Sequence, residues 1–237
     1  MERVKPWELL GEATAPGGET LTLMRQDREF VILANGRPLM SSRMHGSEEA
    51  LAQFGCEHVA RADEPRALVG GLGMGFTLAA TLAQLPESAQ VVVAELVPGV
   101  VEWNRGPLGE CAGRPLKDRR VEVVVGDVLD TLATSSSAFD AVLLDVDNGP
   151  DAFTAAGNAA LYGDRGLAVI RASLRPGGVV AVWSAWEDRK FEQRLRAAGF
   201  AVNVQRVRAR LKKGGPWHTI FLGTPSGTPV GRARQRD

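Results

Sequence analysis

Three acidic residues each stand at the end of a short apolar run, where a carboxylate could bind a polar ligand. These residues are Glu95, Asp127 and Asp145. A glycine-rich segment, GGLGMG at residues 70–75, ends another such run. Because glycine has no Cβ atom, it allows the backbone to turn sharply and to approach a ligand closely. The segment lacks the Gly-Lys-Ser/Thr sequence of an ATP-binding P-loop, so we do not expect ATP to bind there.

The spacing of these residues favours a nucleoside ligand. Glu95 follows Gly71 by 24 residues, and an acidic residue at that separation can accept hydrogen bonds from ribose hydroxyls. Asp127 is placed to accept a hydrogen bond from an adenine amino group. The spacing also fits NAD and does not by itself distinguish the two cofactors. Each acid has a second interpretation, as the cap of the following helix, but a full ordered set at successive strand ends is harder to explain as capping.

The apolar runs predict the sheet that would hold these acids together. From residue 66 onward, short apolar runs alternate with helical segments, a pattern typical of a parallel sheet that is covered on both faces. Ligands bind such sheets beyond the carboxyl ends of the strands. We predict an α/β, Rossmann-like sheet of seven strands, at residues 67–69, 91–94, 121–125, 141–144, 179–183, 201–207 and 218–222.

The N-terminal residues predict a separate small unit. Two apolar runs, at residues 21–26 and 29–34, are followed by an Asn-Gly pair, which is a strong signal for a tight turn. Ser47 precedes a helical segment and is the expected N-cap. We therefore predict three parts: a β-hairpin and helix unit at 1–62, a cofactor-binding domain at 63–223 and a flexible tail at 224–237.

Composition excludes several classes of protein. Lys and Arg together number 28, as do Asp and Glu, so the net charge is zero and no nucleic-acid partner is expected. The sequence has neither a long apolar run nor an apolar N-terminal signal, so we expect no membrane association. Cys56 and Cys111 are far apart in sequence, which is typical of reduced thiols in a cytoplasmic protein.

Taken together, the motifs resemble the class I S-adenosylmethionine-dependent methyltransferase superfamily, and within it the spermidine synthase (polyamine aminopropyltransferase) branch. The glycine-rich segment, followed in order by the three acids, is similar to the motifs of the superfamily. ELVPGVVE at residues 95–102 resembles the branch's run E-hydrophobic-D-P-x-V-V-E, and FDAVLLD at residues 139–145 resembles its strand Y/F-D-V-I-I-x-D. LANGRPLM at residues 33–40 lies where the branch has a small β domain.

The resemblance implies the seven-stranded class I methyltransferase sheet and S-adenosyl-L-methionine as cofactor. It also suggests a homodimer formed through the N-terminal β unit. The cofactor-binding residues that it implies are Gly71, Leu72, Gly73, Gly75, Glu95, Leu96, Asp127, Val128 and Asp145.

Three departures from the branch bear on the reaction. The glycine-rich segment has no Asp, residues 51–58 read LAQFGCEH where the branch has Tyr-His-Glu, and residues 145–150 read DVDNGP where it has D-S-S/T-D-P. In the branch, the loop Asp lies near the amino end of decarboxylated S-adenosylmethionine, and it would repel the carboxylate of the ordinary cofactor. Its absence therefore favours ordinary S-adenosylmethionine.

We accordingly predict a methyltransferase that acts on a small molecule, at an amine or at a carboxylate or hydroxyl of a metabolite. An aminopropyltransferase that uses decarboxylated S-adenosylmethionine is one alternative. A nucleoside-binding or scaffold protein without turnover is the other.

The candidate catalytic and acceptor-binding residues lie near the ends of the fourth and fifth strands of the domain. Asp145 is the first candidate for a base or amine-orienting residue, and Asp147 is the second. Tyr162, the only tyrosine, either lines the acceptor pocket or simply packs there. The expected acceptor-binding residues are Asn148, Trp183 and Trp186, because tryptophan rings stabilise a neighbouring cation. No metal is expected, since VWSAW at residues 182–186 supplies no pair of oxygen ligands for magnesium.

Overall fold

The N-terminal part of the chain forms a small antiparallel sheet. The computed structural model describes residues 5–146, 160–210 and 214–227. The strands of this sheet are β1 (Glu8–Thr14), β2 (Thr20–Gln26), β3 (Glu29–Ala34) and β4 (Arg37–Ser41), and they lie side by side in that order. Asn35 and Gly36 form the turn between β3 and β4 with φ angles of 49° and 76°, as the Asn-Gly signal predicts.

The second sheet has seven strands and carries the predicted acids. Its strands are β5 (Arg66–Gly70), β6 (Gln90–Glu95), β7 (Val121–Val125), β8 (Phe139–Leu144), β9 (Leu174–Ser184), β10 (Phe200–Arg208) and β11 (Trp217–Pro225). They lie in the order β10-β11-β9-β8-β5-β6-β7. The five strands from β9 to β7 are parallel, whereas β11 is antiparallel to both β9 and β10. The prediction of an α/β, Rossmann-like, seven-stranded sheet with a small N-terminal β unit is confirmed.

Helices connect these strands. Those with bounds in the described residues are α1 (Gly46–Cys56), α2 (Phe76–Gln84), α3 (Pro98–Arg105), α4 (Val128–Ala133), α5 (Asp164–Ser173) and α6 (Arg189–Ala197). Short 3₁₀ turns lie at Val59–Arg61, Pro107–Ala112 and Pro115–Lys117. In the part of the chain that the structure describes, no helix has both the length and the apolar character that a membrane crossing requires. The predicted boundaries at residues 62 and 223 stay predictions.

Alternate residues of the central strands pack on opposite faces of the large sheet. On one face, Leu143 packs in a cluster that includes Leu51 of α1. On the other face, Leu144 packs in a cluster that includes Phe191 of α6. Because successive side chains of a strand point to opposite sides, burial of both faces accounts for the continuous apolar runs in the sequence.

The start of α1 differs from the prediction. The helix begins at Gly46 with His45 in the N-cap position, and no side chain caps it. Ser47, the predicted cap, lies inside the first turn and is fully buried. Its hydroxyl bonds to side chains instead of a backbone N–H, and these contacts are part of the site described below.

We predict that Gly55→Val lowers the free energy of unfolding by about 1–3 kcal/mol, because added atoms overpack a filled core. A Cβ atom at Gly55 would lie 3.0 Å from Leu143 Cδ2 and 3.2 Å from Ala181 Cβ, so α1 lies close against the sheet here. Urea denaturation measures the change. Gln53→Val is the control, since Gln53 is exposed on the same helix. Equal unfolding midpoints for the two variants would contradict the prediction.

Candidate active site

The glycine-rich turn between β5 and α2 lies against the backbone of Asp145. Gly71 has a φ angle of 88°, and its N–H donates to the carbonyl oxygen of Ala94 at 2.8 Å. A Cβ atom at Gly71 would overlap the carbonyl oxygen of Asp145, so no larger residue fits there. Gly73 and Gly75 also have positive φ angles, of 50° and 84°. The turn is thereby fixed between the ends of β6 and β8.

Glu95 holds this turn from the end of β6. One carboxylate oxygen accepts a hydrogen bond from the Leu72 N–H at 2.8 Å, and the other accepts one from the Val97 N–H at 2.9 Å. The residue is only 8% exposed. The ribose contact predicted for Glu95 stays a prediction. Leu96, which was also predicted to bind the cofactor, follows with 46% of its surface exposed.

Asp127 and Val128 have structural contacts at the end of β7. The Asp127 carboxylate accepts a hydrogen bond from the Leu129 N–H at 2.8 Å and thereby caps α4. Val128 is buried and packs where a Cβ atom at Gly70 would lie. The helix-cap interpretation therefore describes Asp127 in this structure, and the adenine contact predicted for it stays a prediction.

Asp145 lies directly after β8 and is held by α2. The hydroxyl of buried Thr77 donates a hydrogen bond to Asp145 Oδ2 at 2.5 Å. The N–H of Asp145 donates to the carbonyl oxygen of Gly70 at 2.9 Å. Burial raises the pKa of Asp145 from 3.8 to about 6, although the Thr77 hydrogen bond acts in the opposite direction. This carboxyl group is therefore fixed in position and more basic than an ordinary aspartate.

Glu48, in the first turn of α1, is a second carboxyl group of this site that sequence reasoning missed. Burial raises its pKa from 4.5 to about 7, and the nearby charge of Asp145 adds to the effect. The helical spacing of apolar residues in the sequence could have revealed the burial of Glu48. Leu51 and Ala52, three and four residues later, are fully buried, so Glu48 lies on the core-facing side of the helix.

A chain of hydrogen bonds connects Glu48 to β11. The Ser47 hydroxyl donates to Glu48 Oε2 at 2.6 Å, and the Ser47 hydroxyl oxygen lies 2.8 Å from Nδ1 of His218. The ring of Trp183 packs edge-on against His218, with centroids 4.7 Å apart. Burial lowers the pKa of His218, which keeps the imidazole neutral at neutral pH. Trp183 thus joins the acidic site through His218 and Ser47.

Other predicted residues lie elsewhere or outside the described residues. Tyr162 is almost fully buried and packs edge-on against Phe191, with centroids 5.3 Å apart, in the core on the opposite face of the sheet from α1. The catalytic role predicted for Tyr162 stays a prediction. Trp186 is 40% exposed. Asp147 and Asn148 lie outside the described residues, so their predicted roles stay predictions. No group of three or more His, Cys, Asp or Glu residues that could hold a metal ion occurs within the described ranges.

Sequence comparison finds relatives among the polyamine aminopropyltransferases, although no family model matches the chain. The polyamine aminopropyltransferase of Mycobacterium tuberculosis is 32% identical over 149 residues, which cover 57% of this chain and 27% of that protein. Polyamine aminopropyltransferase 2 of Pseudomonas aeruginosa is 35% identical over 125 residues, which cover 51% of this chain and 34% of that protein. The chain therefore spans about a third or less of the length of these curated relatives.

Spermidine synthases are among the solved structures that resemble this chain. The enzyme of Thermotoga maritima matches 91% of this chain and 72% of its own, with a TM-score of 0.70 and 17% identity. A spermidine synthase in complex with the transition-state analogue AdoDATO matches the same shares, with a TM-score of 0.69 and 16% identity. The homologues and structural neighbours are thus spermidine synthase-like polyamine aminopropyltransferases, which confirms the resemblance that the motifs indicate.

The prediction of methyl transfer is wrong, because the relatives are aminopropyltransferases. That prediction depended on the absence of an acid from the glycine-rich segment, which was taken to remove negative charge from the site. In the structure, that segment contributes the buried side chain of Met74 instead of an acid. The acidic side chains of the site come from other elements. Glu48 comes from α1, whose His45 ring stacks on Phe76 of α2 with centroids 4.2 Å apart, and the next residue, Thr77, holds Asp145 after β8. The composition of one loop therefore did not define the charge of the site.

Glu95→Gln should lower the free energy of unfolding by about 1–3 kcal/mol, because an amide nitrogen cannot accept a hydrogen bond and one buried N–H loses its partner. Urea denaturation tests this. Glu102→Gln makes the same change in charge on α3, where Glu102 forms an exposed ion pair with Arg105, and should change stability by less than about 0.5 kcal/mol. Equal effects of the two substitutions would refute the structural role of Glu95.

The raised pKa of Glu48 predicts a pH dependence of stability. The folded state retains a proton on this residue between about pH 4.5 and 7 while the unfolded state has lost it, so the free energy of unfolding falls as the pH rises through this range. Glu48→Gln should reduce that fall. Urea denaturation at about pH 4.5 and about pH 8 measures it. Exposed Glu57, just after α1, gives the control Glu57→Gln, which should follow the wild type. Parallel curves for wild type and Glu48→Gln would rule out the assigned pKa.

Proposed function

We propose that this chain transfers an aminopropyl group from decarboxylated S-adenosylmethionine to a primary amine of a small-molecule acceptor. The observation that carries the proposal is the carboxyl group of Asp145, which Thr77 holds beside the glycine-rich turn. The same arrangement lies in a chain whose relatives are polyamine aminopropyltransferases and whose fold is that of the spermidine synthases.

The residues around the turn suit the nucleoside part of such a ligand. Gly71 and Gly73 adopt positive φ angles, so the turn can close against Asp145 and Met40 and its shape is fixed before a ligand binds. Glu95 is rigidly held by two backbone N–H groups, and an ordered carboxylate binds hydroxyl groups at little further entropic cost. The side chains of Leu72 and Met74 are buried and anchor the turn in the hydrophobic core. We propose that Glu95 binds the ribose of the nucleoside and that the sulfonium end of the nucleoside lies next to Asp145.

The chemistry is a displacement at carbon. A primary amine is an ammonium ion near neutral pH, so the acceptor first gives up a proton to a base. Its freed lone pair then bonds to the carbon next to the positive sulfur that decarboxylated S-adenosylmethionine supplies when bound, the C–S electrons go to sulfur, and methylthioadenosine leaves neutral. The positive charge is then on the acceptor nitrogen. The residues of the chain have to hold the acceptor amine in line and accept that proton.

We assign to Asp145 the role of the base that accepts this proton. A base works best when its pKa lies near the working pH, and burial moves the pKa of Asp145 from 3.8 to about 6. The Thr77 hydrogen bond occupies Oδ2, so the second oxygen, Oδ1, can accept a proton or a hydrogen bond from the amine. Asp147 remains a proposed second acid of the same segment.

Incubation with decarboxylated S-adenosylmethionine and 1,4-diaminobutane tests the proposal. Mass spectrometry should detect methylthioadenosine together with the aminopropylated diamine. Asp145→Asn should lower kcat by about 10²–10⁴-fold, because the base is lost while the shape is retained. Glu57→Gln, which changes an exposed acid after α1, should leave kcat unchanged. If the nucleoside binds but no methylthioadenosine forms across a panel of diamines, the proposal fails and a binding protein without turnover is favoured.

A further inference from the structure

The two carboxyl groups at the site have no cationic partner among the described residues. Glu48 lies in the first turn of α1 and Asp145 at the end of β8, and both are partly buried. The two elements meet through α2, where Phe76 stacks on His45 of α1 at 4.2 Å and the adjacent Thr77 donates to Asp145. The ion pairs of the described chain involve other acids; the neighbouring Glu49, for example, pairs with His45 at 2.6 Å. Two acids removed from water beside each other raise the free energy of the site unless a proton or a cation lies with them. A bound cation would therefore stabilise this arrangement.

Contacts from β11 hold Glu48 in a defined position. Ser47 has a single hydroxyl proton, and in the geometry observed it is donated to Glu48 Oε2. The Nδ1–H of neutral His218 then donates to the Ser47 oxygen. A donor directed at a carboxylate stabilises its charged form. The first turn of α1 acts in the same direction, because the helix dipole favours negative charge at the N-terminus. The Ser47 hydrogen bond and the helix dipole therefore favour the ionised form of Glu48 when a cation is bound.

A polar group beside the hydrogen bonds from Glu48 through Ser47 to His218 lacks a hydrogen-bond partner among the described residues. The indole nitrogen Nε1 of Trp183 is buried and has no hydrogen-bond partner in the part of the chain that the structure describes. Only 9% of Trp183 is exposed, and its ring lies against His218. Buried polar groups in folded proteins are nearly always hydrogen-bonded. Trp183 Nε1 is therefore an unpartnered donor beside His218, which bonds to Ser47 in the chain of hydrogen bonds that reaches Glu48. A polar ligand at this end of the site would satisfy that donor.

We propose that Glu48 determines specificity by binding, together with Asp145, a primary ammonium group of the ligand. The proposal deepens the proposed function and rests on it, since the ammonium belongs to a ligand of the same site. Two sources have the required chemistry: the acceptor diamine and the aminopropyl end of the nucleoside. An ammonium has three donors, which two carboxylates on different elements can share. A ligand without this group would lack the charge-assisted hydrogen bonds of both acids.

Proton release on binding follows from the same arrangement. The titratable groups around Glu48 are Glu49 on the same helix, Asp145 after β8 and His218 on β11, while His45 pairs with Glu49. The pKa of Glu48 lies at about 7 in the absence of ligand because of burial and the charge of Asp145. A bound ammonium favours the ionised form and lowers this pKa, so binding near neutral pH releases protons.

Isothermal titration calorimetry on the whole chain tests the proposal with three probes: 1,4-diaminobutane, decarboxylated S-adenosylmethionine and methylthioadenosine, which lacks the ammonium. Glu48→Gln should weaken binding of at least one ammonium probe about tenfold or more, with methylthioadenosine unaffected. Proton release, measured in buffers of different ionisation enthalpy, should fall in the variant. Weaker binding of the diamine alone identifies the acceptor as the source, and weaker binding of the nucleoside alone identifies its aminopropyl end.

Two further variants separate a binding role from a folding defect. Glu57→Gln removes a charge at the other end of α1 and should bind all probes as the wild type does. Ser47→Ala keeps the acid but removes its hydrogen bond, and it should weaken ammonium binding by a smaller factor than Glu48→Gln does. Thermal melting shows whether each variant is folded.

The outcomes distinguish this proposal from the proposed function. Unchanged affinity of folded Glu48→Gln for both ammonium probes would overturn the role of Glu48, whether or not the wild type transfers an aminopropyl group. A wild type that binds neither ammonium probe would overturn it as well. Weakened ammonium binding in the variant, with no methylthioadenosine produced by the wild type, would support the role of Glu48 and reject the transferase.

Discussion

The close approach of Gly71 to the carbonyl oxygen of Asp145 is the constraint on which the rest of the site depends. It requires a residue without a Cβ atom and a positive φ angle at the end of β5. Because the turn is fixed there, α2 begins where the hydroxyl of Thr77 reaches the Asp145 carboxyl group. Glu95 secures the same turn from β6 through the Leu72 N–H. One backbone contact thereby sets the relative positions of three strand ends.

The charge of the site comes from several elements, which explains why one loop was a poor guide to the reaction. The glycine-rich turn has Leu72 and Met74 where an acid would make the charge obvious in the sequence. The second carboxyl group comes instead from Glu48, in a helix that precedes the whole sheet domain. An argument from the turn alone predicted a site suited to the carboxylate of ordinary S-adenosylmethionine. The relatives are polyamine aminopropyltransferases, and Glu48 adds a second acid from α1 to the site.

The sequence predicted the elements better than the contacts between them. Apolar runs such as that before Asp145 define buried parallel strands, because both faces of such strands are covered, and all seven strands were located. Asp145 was expected at a strand end and lies there. The partners of these residues depend on tertiary packing, which periodicity does not contain. Serine is a residue type that often caps helices, yet the Ser47 hydroxyl bonds to Glu48 and to a histidine that is 171 residues away in the chain. Tyr162 likewise gives no sign in the sequence that Phe191 holds its ring in the opposite core.

The link between Ser47 and His218 has a consequence for the order in which the molecule assembles. The glycine-rich turn, Glu95 and Asp145 can form their described hydrogen bonds once residue 145 has left the ribosome, since the partners in those bonds all precede or include it. Glu48 is synthesised earlier still, but the hydrogen bond that orients its partner Ser47 comes from His218 of β11, which follows Ser47 by 171 residues. A nascent chain would therefore acquire the nucleoside half of its site first. The second acid would be brought into its final orientation only when the antiparallel strand inserts between β9 and β10.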